Sequence, residues 1–162
     1  MNTQRDNKIS RRQFLIGVWV VSLVGLFSQA GIALLDFFKP RVKPGEFGGQ
    51  VVAGQVAEFQ PGTVSHVREG RFYISRLDDG GMLALWQRCT HLGCTVPWRE
   101  DEELFHCPCH SSIYTRTGEV VSGPAPRPLD IFPIEILDEE VVVNTGDPIA
   151  REGYDPSQAT YA

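Results

Sequence analysis

Two short segments of this chain hold most of the residue types that bind metals. Residues 89–94 read Cys-Thr-His-Leu-Gly-Cys and residues 107–112 read Cys-Pro-Cys-His-Ser-Ser, and together they contain all four cysteines and two of the four histidines. In each segment a cysteine is followed two or three positions later by a histidine. The two pairs are Cys89 with His91 and Cys107 with His110. Because one loop can present a thiolate and an imidazole to the same centre, the pairs predict a metal site.

Two thiolates and two imidazoles fit two kinds of centre. A [2Fe–2S] cluster can be held with two thiolates on one iron and two histidines on the other. Tetrahedral zinc accepts the same donors. Cys94 and Cys109 remain outside this set. The ligand count alone leaves both centres open.

The two segments resemble the Rieske iron–sulfur subunits of cytochrome bc-type complexes. That family carries a first loop of the form C-T-H-L-G-C, a second of the form C-P-C-H-G-S-x-Y, and a following G-P-A-P segment. This chain has these patterns at residues 89–94, 107–114 and 123–126, with one change in the second. The similar region runs from about residue 86 to 129, and the resemblance implies one Rieske-type [2Fe–2S] cluster rather than zinc.

The resemblance implies a ligand set and a disulfide. Two thiolates would bind an inner iron and two imidazoles an outer, exposed iron. The implied ligands are Cys89, Cys107, His91 and His110. The implied disulfide joins Cys94 to Cys109 and would clamp the two loops over the cluster.

Further roles follow from the same resemblance. The hydroxyls of Ser112 and Tyr114 would donate hydrogen bonds to cluster sulfur, and Leu92 would cover the cluster at a docking surface. Two positions depart from the family pattern. Ser111 stands where glycine is usual, and Thr115 where aspartate often follows the tyrosine. If the glycine position needs a positive φ, we expect strain at Ser111.

The amino terminus predicts export and membrane anchoring. Residues 10–15 read Ser-Arg-Arg-Gln-Phe-Leu, typical of a twin-arginine signal, and residues 14–38 form an apolar run of 25 residues. As a helix this run is about 37 Å long, enough to cross about 30 Å of hydrocarbon. Its length favours a retained anchor over residues 13–38, after a cytoplasmic stretch at 1–12, although the small residues 28–30 leave cleavage open. The arginine pair alone would also suit an ordinary positive-inside anchor.

The compartment follows from the export signal and the implied disulfide. Twin-arginine export carries folded proteins, which suits a cluster inserted in the cytoplasm, and structural disulfides persist in oxidising compartments. We therefore expect a single-pass protein of the cell membrane or a thylakoid-type membrane. Its amino terminus would be cytoplasmic and its head extracytoplasmic.

The chain after the anchor predicts a connector and one small domain. Residues 39–50 mix prolines and glycines, and we predict a flexible hinge there, with a plain tether as the alternative. Residues 51–162 would form the Rieske domain. They contain eight arginines, no lysine and 17 carboxylates, a formal charge of −9. This acidity argues against a nucleic-acid partner.

The head is expected to be mainly antiparallel β, with the cluster loops at one tip. Short runs of β-branched, aromatic and other apolar residues predict strands, and Asp-Asp-Gly-Gly at 78–81 predicts a hairpin turn. The predicted strands are 71–77, 82–86, 131–137 and 141–144. Trp86 and Trp98 are expected in the core, His66 and His106 away from the metal, and 151–162 as a polar tail.

These features together predict an electron-transfer subunit of a quinol-oxidising cytochrome bc-type complex. His91 or His110 would accept a proton from quinol as the cluster takes one electron, and the electron would pass to a c-type cytochrome. A cytochrome b-type membrane subunit would be a partner, so oxidoreductase activity would need the complex. The alternatives are the small Rieske subunit of an arsenite-oxidase-type molybdenum enzyme and a membrane-tethered zinc module.

Overall fold

The computed structural model describes residues 10–39 and 47–162. The chain divides into two compact units, Met1–Arg41 and Val42–Ala162. The first contains a single long helix, and the second is a β-rich head. Each unit is described by itself below.

Helix α1 (Arg11–Phe37) contains 27 residues. Ser10 caps it: its side chain accepts a hydrogen bond from the Gln13 backbone N–H at 3.2 Å, and the Gln13 side chain accepts one from the Ser10 N–H at 3.0 Å. This reciprocal capping box starts the helix two residues before the predicted anchor, so Arg11 and Arg12 lie in its first turn. The twin-arginine export signal itself stays a prediction, and residues 1–9 lie outside the described residues.

The composition of α1 suits a bilayer. Its mean hydropathy reaches 2.0 over an 18-residue window, and it is the one helix among the described residues that is long and apolar enough to span a membrane. None of its side chains is buried within the protein. At about 1.5 Å per residue the helix extends about 40 Å, more than the hydrocarbon thickness.

The head consists of short strands, two single-turn 3₁₀ helices (Val56–Glu58 and Pro156–Gln158) and loops. In chain order the described strands are β1 (Gln50–Gln55), β2 (Val64–Val67), β3 (Phe72–Arg76), β4 (Met82–Trp86), β5 (Trp98–Arg99), β6 (Leu104–His106), β7 (Ile113–Tyr114), β8 (Val120–Ser122), β9 (Ile131–Phe132), β10 (Ile134–Leu137) and β11 (Glu140–Asn144). They form three sheets, with orders β1-β11-β10, β2-β3-β4-β9 and β5-β6-β7-β8. Every strand pair is antiparallel, which confirms the predicted fold class.

The hairpin of β3 and β4 is buried on both faces and separates two apolar cores. Alternate side chains enter opposite cores: Phe72 and Ile74 pack with Met82 in one, while Tyr73 packs with Leu85 in the other. A strand with two buried faces has a continuous apolar run, which explains why residues 82–86 were recognisable in the sequence. The core on the Tyr73 side also contains both free cysteines, Cys89 and Cys107, and so lies beneath the two loops predicted to bind metal, residues 89–94 and 107–112, which we call the metal-binding loops.

The other predicted strands need adjustment at their ends. Predicted strand 71–77 shortens to β3, because Arg71 has a φ of +56°. The single predicted strand 131–137 is wrong: Pro133 divides it into β9 and β10, which belong to different sheets. Proline lacks the N–H that a ladder requires, so the chain changes sheets at this residue.

The carboxyl-terminal segment is not the polar tail predicted from its composition. Arg151 is only 5% exposed, and Tyr154 and Ala159 pack against the core beneath the metal-binding loops. Thr160 forms a β-bridge with Met82. The Arg151 side chain donates hydrogen bonds to the Leu129 and Thr117 carbonyls elsewhere in the head, so the polarity of this segment does not make it a solvent-exposed tail.

The carboxyl end of the predicted connector also belongs to the head. Thr145 accepts a hydrogen bond from the Gly48 backbone N–H at 2.8 Å, and its own N–H donates to the Gly49 carbonyl at 2.8 Å. Phe47 stacks on Trp86 with ring centroids 5.9 Å apart. The flexible hinge at residues 39–50 stays a prediction, because residues 40–46 lie outside the described residues.

Replacing Phe105 by alanine should destabilise the head. Phe105 is fully buried and contacts Tyr73 and Trp98, with ring centroids at 5.1 and 4.8 Å. The cavity should cost about 3–5 kcal/mol and lower the melting temperature by about 10 °C or more. Thermal unfolding of the full chain in detergent measures this. Val121→Ala, at a residue that is 55% exposed, is the control and should change stability by less than about 0.5 kcal/mol.

Candidate metal centre

The first loop, residues 89–94, follows β4 and folds back on itself. The Cys89 N–H donates to the Cys94 carbonyl at 2.8 Å, and the Gly93 N–H donates to the Cys89 carbonyl at 2.9 Å. Gly93 has a φ of +81°, a conformation that glycine adopts without steric cost. The turn buries Cys89 and leaves Leu92 68% exposed.

The second loop, residues 107–112, connects β6 to β7 and closes in a similar way. The Cys107 N–H donates to the Ser112 carbonyl at 2.8 Å, and the Ser111 N–H donates to the Cys107 carbonyl at 3.1 Å. Ser111 has a φ of +57°, as anticipated for a position where the family usually has glycine. A left-handed conformation costs a non-glycine residue about 1–2 kcal/mol. The loop hydrogen bonds hold the serine in it.

The structure places the four residues proposed as ligands as two neighbouring pairs, one of thiols and one of imidazoles. Cys89 and Cys107 are free thiols, each 3% exposed, in the core beneath the loops. The rings of His91 and His110 lie nearer the surface, with centroids 4.9 Å apart and planes perpendicular. Two buried thiols and two more accessible imidazoles are the donor types that a Rieske cluster uses, and the ligand set itself stays a prediction.

The predicted disulfide between Cys94 and Cys109 is present and joins the two loops, with a Cα–Cα distance of 6.6 Å. The Cys107 sulfur lies within 4.8 Å of both disulfide sulfurs. These three sulfurs do not form a metal site of their own, because a disulfide sulfur is not a thiolate. Within this group only Cys107 remains available to a metal.

Tyr114 connects the centre to its surroundings. Its hydroxyl lies 3.1 Å from the Cys89 sulfur and 3.3 Å from the Thr90 hydroxyl oxygen. Burial, and next the contact with Cys89, raise the pKa of Tyr114 to about 12, so the phenol keeps its proton and can donate it. Burial by itself would raise the pKa of the Cys89 thiol, but hydrogen bonds, first that from Tyr114, outweigh it and lower the pKa. Both shifts fit a phenol that donates to a thiolate.

Ser112 supplies a second hydroxyl. Its oxygen is buried and makes no hydrogen bond of good geometry with any described residue, although its nearness contributes to the lowered pKa of Cys89. Buried polar atoms without a partner are rare in folded proteins, and each needs an explanation. An acceptor sulfur of a bound cluster would be such a partner. The residues present therefore fit a [2Fe–2S] group.

The proline segment, residues 123–126, lies against the second loop. Gly123 has a φ of +97°, and a Cβ there would be 2.5 Å from the Ser112 Cα and 2.8 Å from the Ser111 carbonyl oxygen. Just beyond the segment, the Arg127 carbonyl accepts a hydrogen bond from the Thr90 side chain at 2.6 Å. The proline segment and the residue that follows it thus contact both loops.

The two histidines outside the motifs, His66 and His106, contact other parts of the head. His66 stacks on Tyr73 and lies 2.8 Å from the Gln87 side-chain oxygen. His106 lies 3.0 Å from the Glu102 carboxylate. Sequence reasoning missed Thr90 and Arg127. Thr90 falls inside the first motif, whereas Arg127 contributes a backbone carbonyl, for which a sequence carries no signal.

Comparison with known proteins decides between zinc and iron–sulfur. Residues 49–133 match the Rieske [2Fe–2S] domain family. This chain belongs to that family. The match confirms the predicted resemblance and the [2Fe–2S] cofactor, and it makes the tethered zinc module the wrong alternative.

Similar proteins extend the match beyond the Rieske domain. The cytochrome b6-f complex iron–sulfur subunit 1 of Synechocystis is 32% identical to this chain, in an alignment that covers 83% of this chain and 84% of the relative. Among solved structures, a chain of a hyperthermophilic respiratory Complex III is 30% identical and covers 78% of this chain and 97% of its own, with a TM-score of 0.45. The plasma membrane Rieske protein PetC3 of Synechocystis is 28% identical and covers 57% of this chain and 97% of its own, with a TM-score of 0.47. The family assignment rests on the sequence matches. With the apolar helix α1, they support a single-pass Rieske membrane protein.

Replacing Gly123 by alanine should displace the proline segment. The new Cβ would collide with the backbone of the second loop, which cannot move without breaking the hydrogen bonds that close it. We expect the variant to lose stability by more than about 2 kcal/mol and to retain less iron. Iron content and thermal unfolding of the purified protein measure both.

The control is Gly80→Ala. Gly80 has a similar φ of +91°, but the nearest atom to a Cβ there is 3.7 Å away, at the end of the Arg76 side chain. This variant carries only the backbone strain, about 1–2 kcal/mol, and should retain iron. Equal iron loss in the two variants would mean that strain, rather than contact with the second loop, explains the effect.

Proposed function

We propose that this protein is the electron-transfer subunit of a quinol-oxidising cytochrome bc-type complex. It would take one electron and one proton from quinol and pass the electron to a c-type cytochrome. The observation that carries this proposal is the pair of accessible imidazoles, His91 and His110, beside the exposed side chain of Leu92 and above two buried thiols. The similarity to a cytochrome b6-f iron–sulfur subunit over 83% of the chain favours this complex over a molybdenum enzyme.

Four residues would hold the cluster. Cys89 and Cys107 would bind the inner iron, since their thiols are buried and face the core. His91 and His110 would bind the outer iron at the surface. When bound, the cluster supplies a centre that accepts and releases one electron at a time.

The two histidines would handle the proton. An imidazole that binds a metal through one ring nitrogen keeps the other for a hydrogen bond or a proton. At the accessible His91 or His110, this second nitrogen can accept a hydrogen bond from a quinol hydroxyl and then its proton. Leu92 would exclude water from that hydrogen bond when the head docks on a partner.

Ser112 and Tyr114 would set a high reduction potential. Hydrogen bonds to cluster or ligand sulfur favour the reduced, more negative state. Tyr114 keeps its proton and lies 3.1 Å from the Cys89 sulfur, and the buried Ser112 hydroxyl is available for a second bond. Both hydroxyls suit a high-potential quinol such as ubiquinol or plastoquinol.

The anchor and the disulfide support the proposed location. Helix α1 would hold the protein beside a cytochrome b-type membrane subunit. The disulfide between Cys94 and Cys109 supports an oxidising compartment for the head, and the amino terminus would then be cytoplasmic. The connector predicted at residues 39–50 would let the head move between the quinol site and the cytochrome. The oxidoreductase activity belongs to the whole complex.

The variant His110→Cys tests the ligand set. A thiolate in place of the imidazole changes the outer iron and removes the proton-accepting nitrogen. We expect the Rieske EPR signal and quinol oxidation to be lost together, by at least about 100-fold in rate. EPR and quinol:cytochrome c reductase assays on membranes measure these two properties.

The matched control is His66→Cys, which makes the same exchange at an exposed histidine outside both loops. It should keep both the signal and the activity. A normal Rieske signal in His110→Cys would remove His110 from the ligand set.

The variant Tyr114→Phe tests the potential. It removes the hydroxyl that lies 3.1 Å from the Cys89 sulfur and leaves the ring in place. If this bond favours the reduced state by about 1 kcal/mol, its loss should lower the midpoint potential by about 40 mV. Redox titration followed by EPR gives the value. Tyr154→Phe, outside both loops, should leave the potential unchanged, and an equal shift there would contradict the role of Tyr114.

A further inference from the structure

The carboxyl-terminal segment is fixed to the head at two distant places. Ile149 and Ile131 exchange backbone hydrogen bonds of 2.8 and 3.1 Å, and Thr160 and Met82 exchange bonds of 3.0 and 2.9 Å. The Tyr161 hydroxyl also donates to the Asp79 carboxylate at 3.0 Å. We call residues 149–161 the C-terminal strap. It connects the β9 side of the head to the turn between β3 and β4.

Arg151 is the buried side chain at the start of the strap, and its guanidinium reaches three acceptors. Nε donates to the Leu129 carbonyl at 2.8 Å, one terminal nitrogen donates to the Gln158 side chain at 3.0 Å, and the other donates to the Thr117 carbonyl. Burial lowers the pKa of Arg151 to about 10, so it stays charged at neutral pH. A buried charge is stable only when it is hydrogen-bonded in this way.

The two backbone acceptors of Arg151 belong to the segments that hold the metal-binding loops. Thr117 lies in the turn after Tyr114, which is closed by a bond from the Gly118 N–H to the Thr115 carbonyl at 2.8 Å. Leu129 follows the proline segment, and its N–H donates to the Gly118 carbonyl at 2.9 Å. The Arg151 guanidinium therefore links the turn that follows Tyr114, at Thr117, to Leu129, which follows the proline segment.

Two carboxylates, those of Glu119 and Asp130, stabilise the region around the Arg151 guanidinium. The Glu119 carboxylate accepts from the Tyr154 backbone N–H, a strap residue, and from the Thr117 hydroxyl, each at 3.4 Å. Asp130 pairs with Arg127, whose carbonyl accepts from Thr90 in the first loop. Glu119 and Asp130 favour the charged form of Arg151 against the cost of its burial.

We propose that Arg151 is a positioning residue for the cluster: through the carbonyls of Thr117 and Leu129 it keeps the Tyr114 hydroxyl on Cys89 and the proline segment on the second loop. The inference rests on the proposed function, since it gives Tyr114 a role in the potential. Lysine cannot replace arginine here, because a single ammonium cannot span acceptors on three segments as the planar fork does.

The test uses the full chain in detergent with its cluster. Arg151→Lys keeps the charge but loses the fork, Gln158→Ala keeps the guanidinium but removes one acceptor, and Arg151→Gln removes the charge. The control is Arg68→Gln, at an exposed arginine in the turn between β2 and β3. For each protein the midpoint potential, the EPR line shape and the rate of cluster loss to a chelator are measured while far-UV circular dichroism shows a folded head.

We expect Arg151→Lys to lower the midpoint potential, alter the EPR line shape and lose its cluster several-fold faster than the parent protein. Gln158→Ala should shift the same properties in the same direction by less, and Arg151→Gln by more. Arg68→Gln should leave all three unchanged. A residue that served only overall stability would leave the potential and line shape of the folded, loaded protein unaltered.

The outcome that overturns the inference is a folded Arg151→Lys with the potential, line shape and cluster-loss rate of the parent protein. An equal shift in Arg68→Gln also overturns it, because net charge would then explain the change. The decision rests on Arg151→Lys and Gln158→Ala, which perturb the fold least. Failure of the proposed function is distinguishable, since it would appear as a loaded parent protein without quinol:cytochrome c reductase activity in its membranes, whereas the three properties measured here need only the loaded cluster.

Discussion

The predicted metal ligands of this head lie in two loops that extend from different sheets, and the disulfide between Cys94 and Cys109 links these loops covalently. The first loop extends from β4 in one sheet, and the second loop joins β6 to β7 in another. A cluster needs ligands held in a fixed geometry, which two independent loops would not provide. The β3–β4 hairpin packs beneath both loops, and the proline segment packs against the second loop. Together with the disulfide, they restrict the movement of the loops.

The side chains of the candidate metal centre differ in their exposure to solvent. The thiols of Cys89 and Cys107 belong to the apolar core, whereas the imidazoles and Leu92 are accessible. The buried side holds the hydroxyls of Tyr114 and Ser112, which in the proposed function would donate to sulfur, and the accessible side holds the imidazoles, which would exchange protons. The proposed site would therefore control the electron from its buried side and transfer the proton at its accessible side.

Much of this arrangement could be predicted from the sequence, because the chemistry of the site is concentrated in contiguous motifs. The disulfide was predictable only through the resemblance of the two cysteine motifs to the Rieske family, whereas β4 was recognisable from its continuous apolar run. Pro133 was read as part of a single strand because residues on both sides of it are apolar, although its missing N–H marks a change of sheet. Strands β5 and β7 contain two residues each and have no periodicity to detect. The burial of Arg151 depends on carbonyls over 20 residues away, which no local pattern reveals.

The backbone conformation of Ser111 has a consequence for the rigidity of the second loop. A serine explores fewer backbone conformations in the unfolded chain than the glycine usual in this family, so ordering it costs less entropy. It also sits in a left-handed conformation that serine does not favour, held by the bonds that close the loop. The strain of about 1–2 kcal/mol exceeds the entropic gain of about 0.4–1 kcal/mol, so the hydrogen bonds that close the loop must hold Ser111 in place. In the proposed function, a loop closed in this way would change shape little between oxidation states, which would keep the reorganisation energy of electron transfer low.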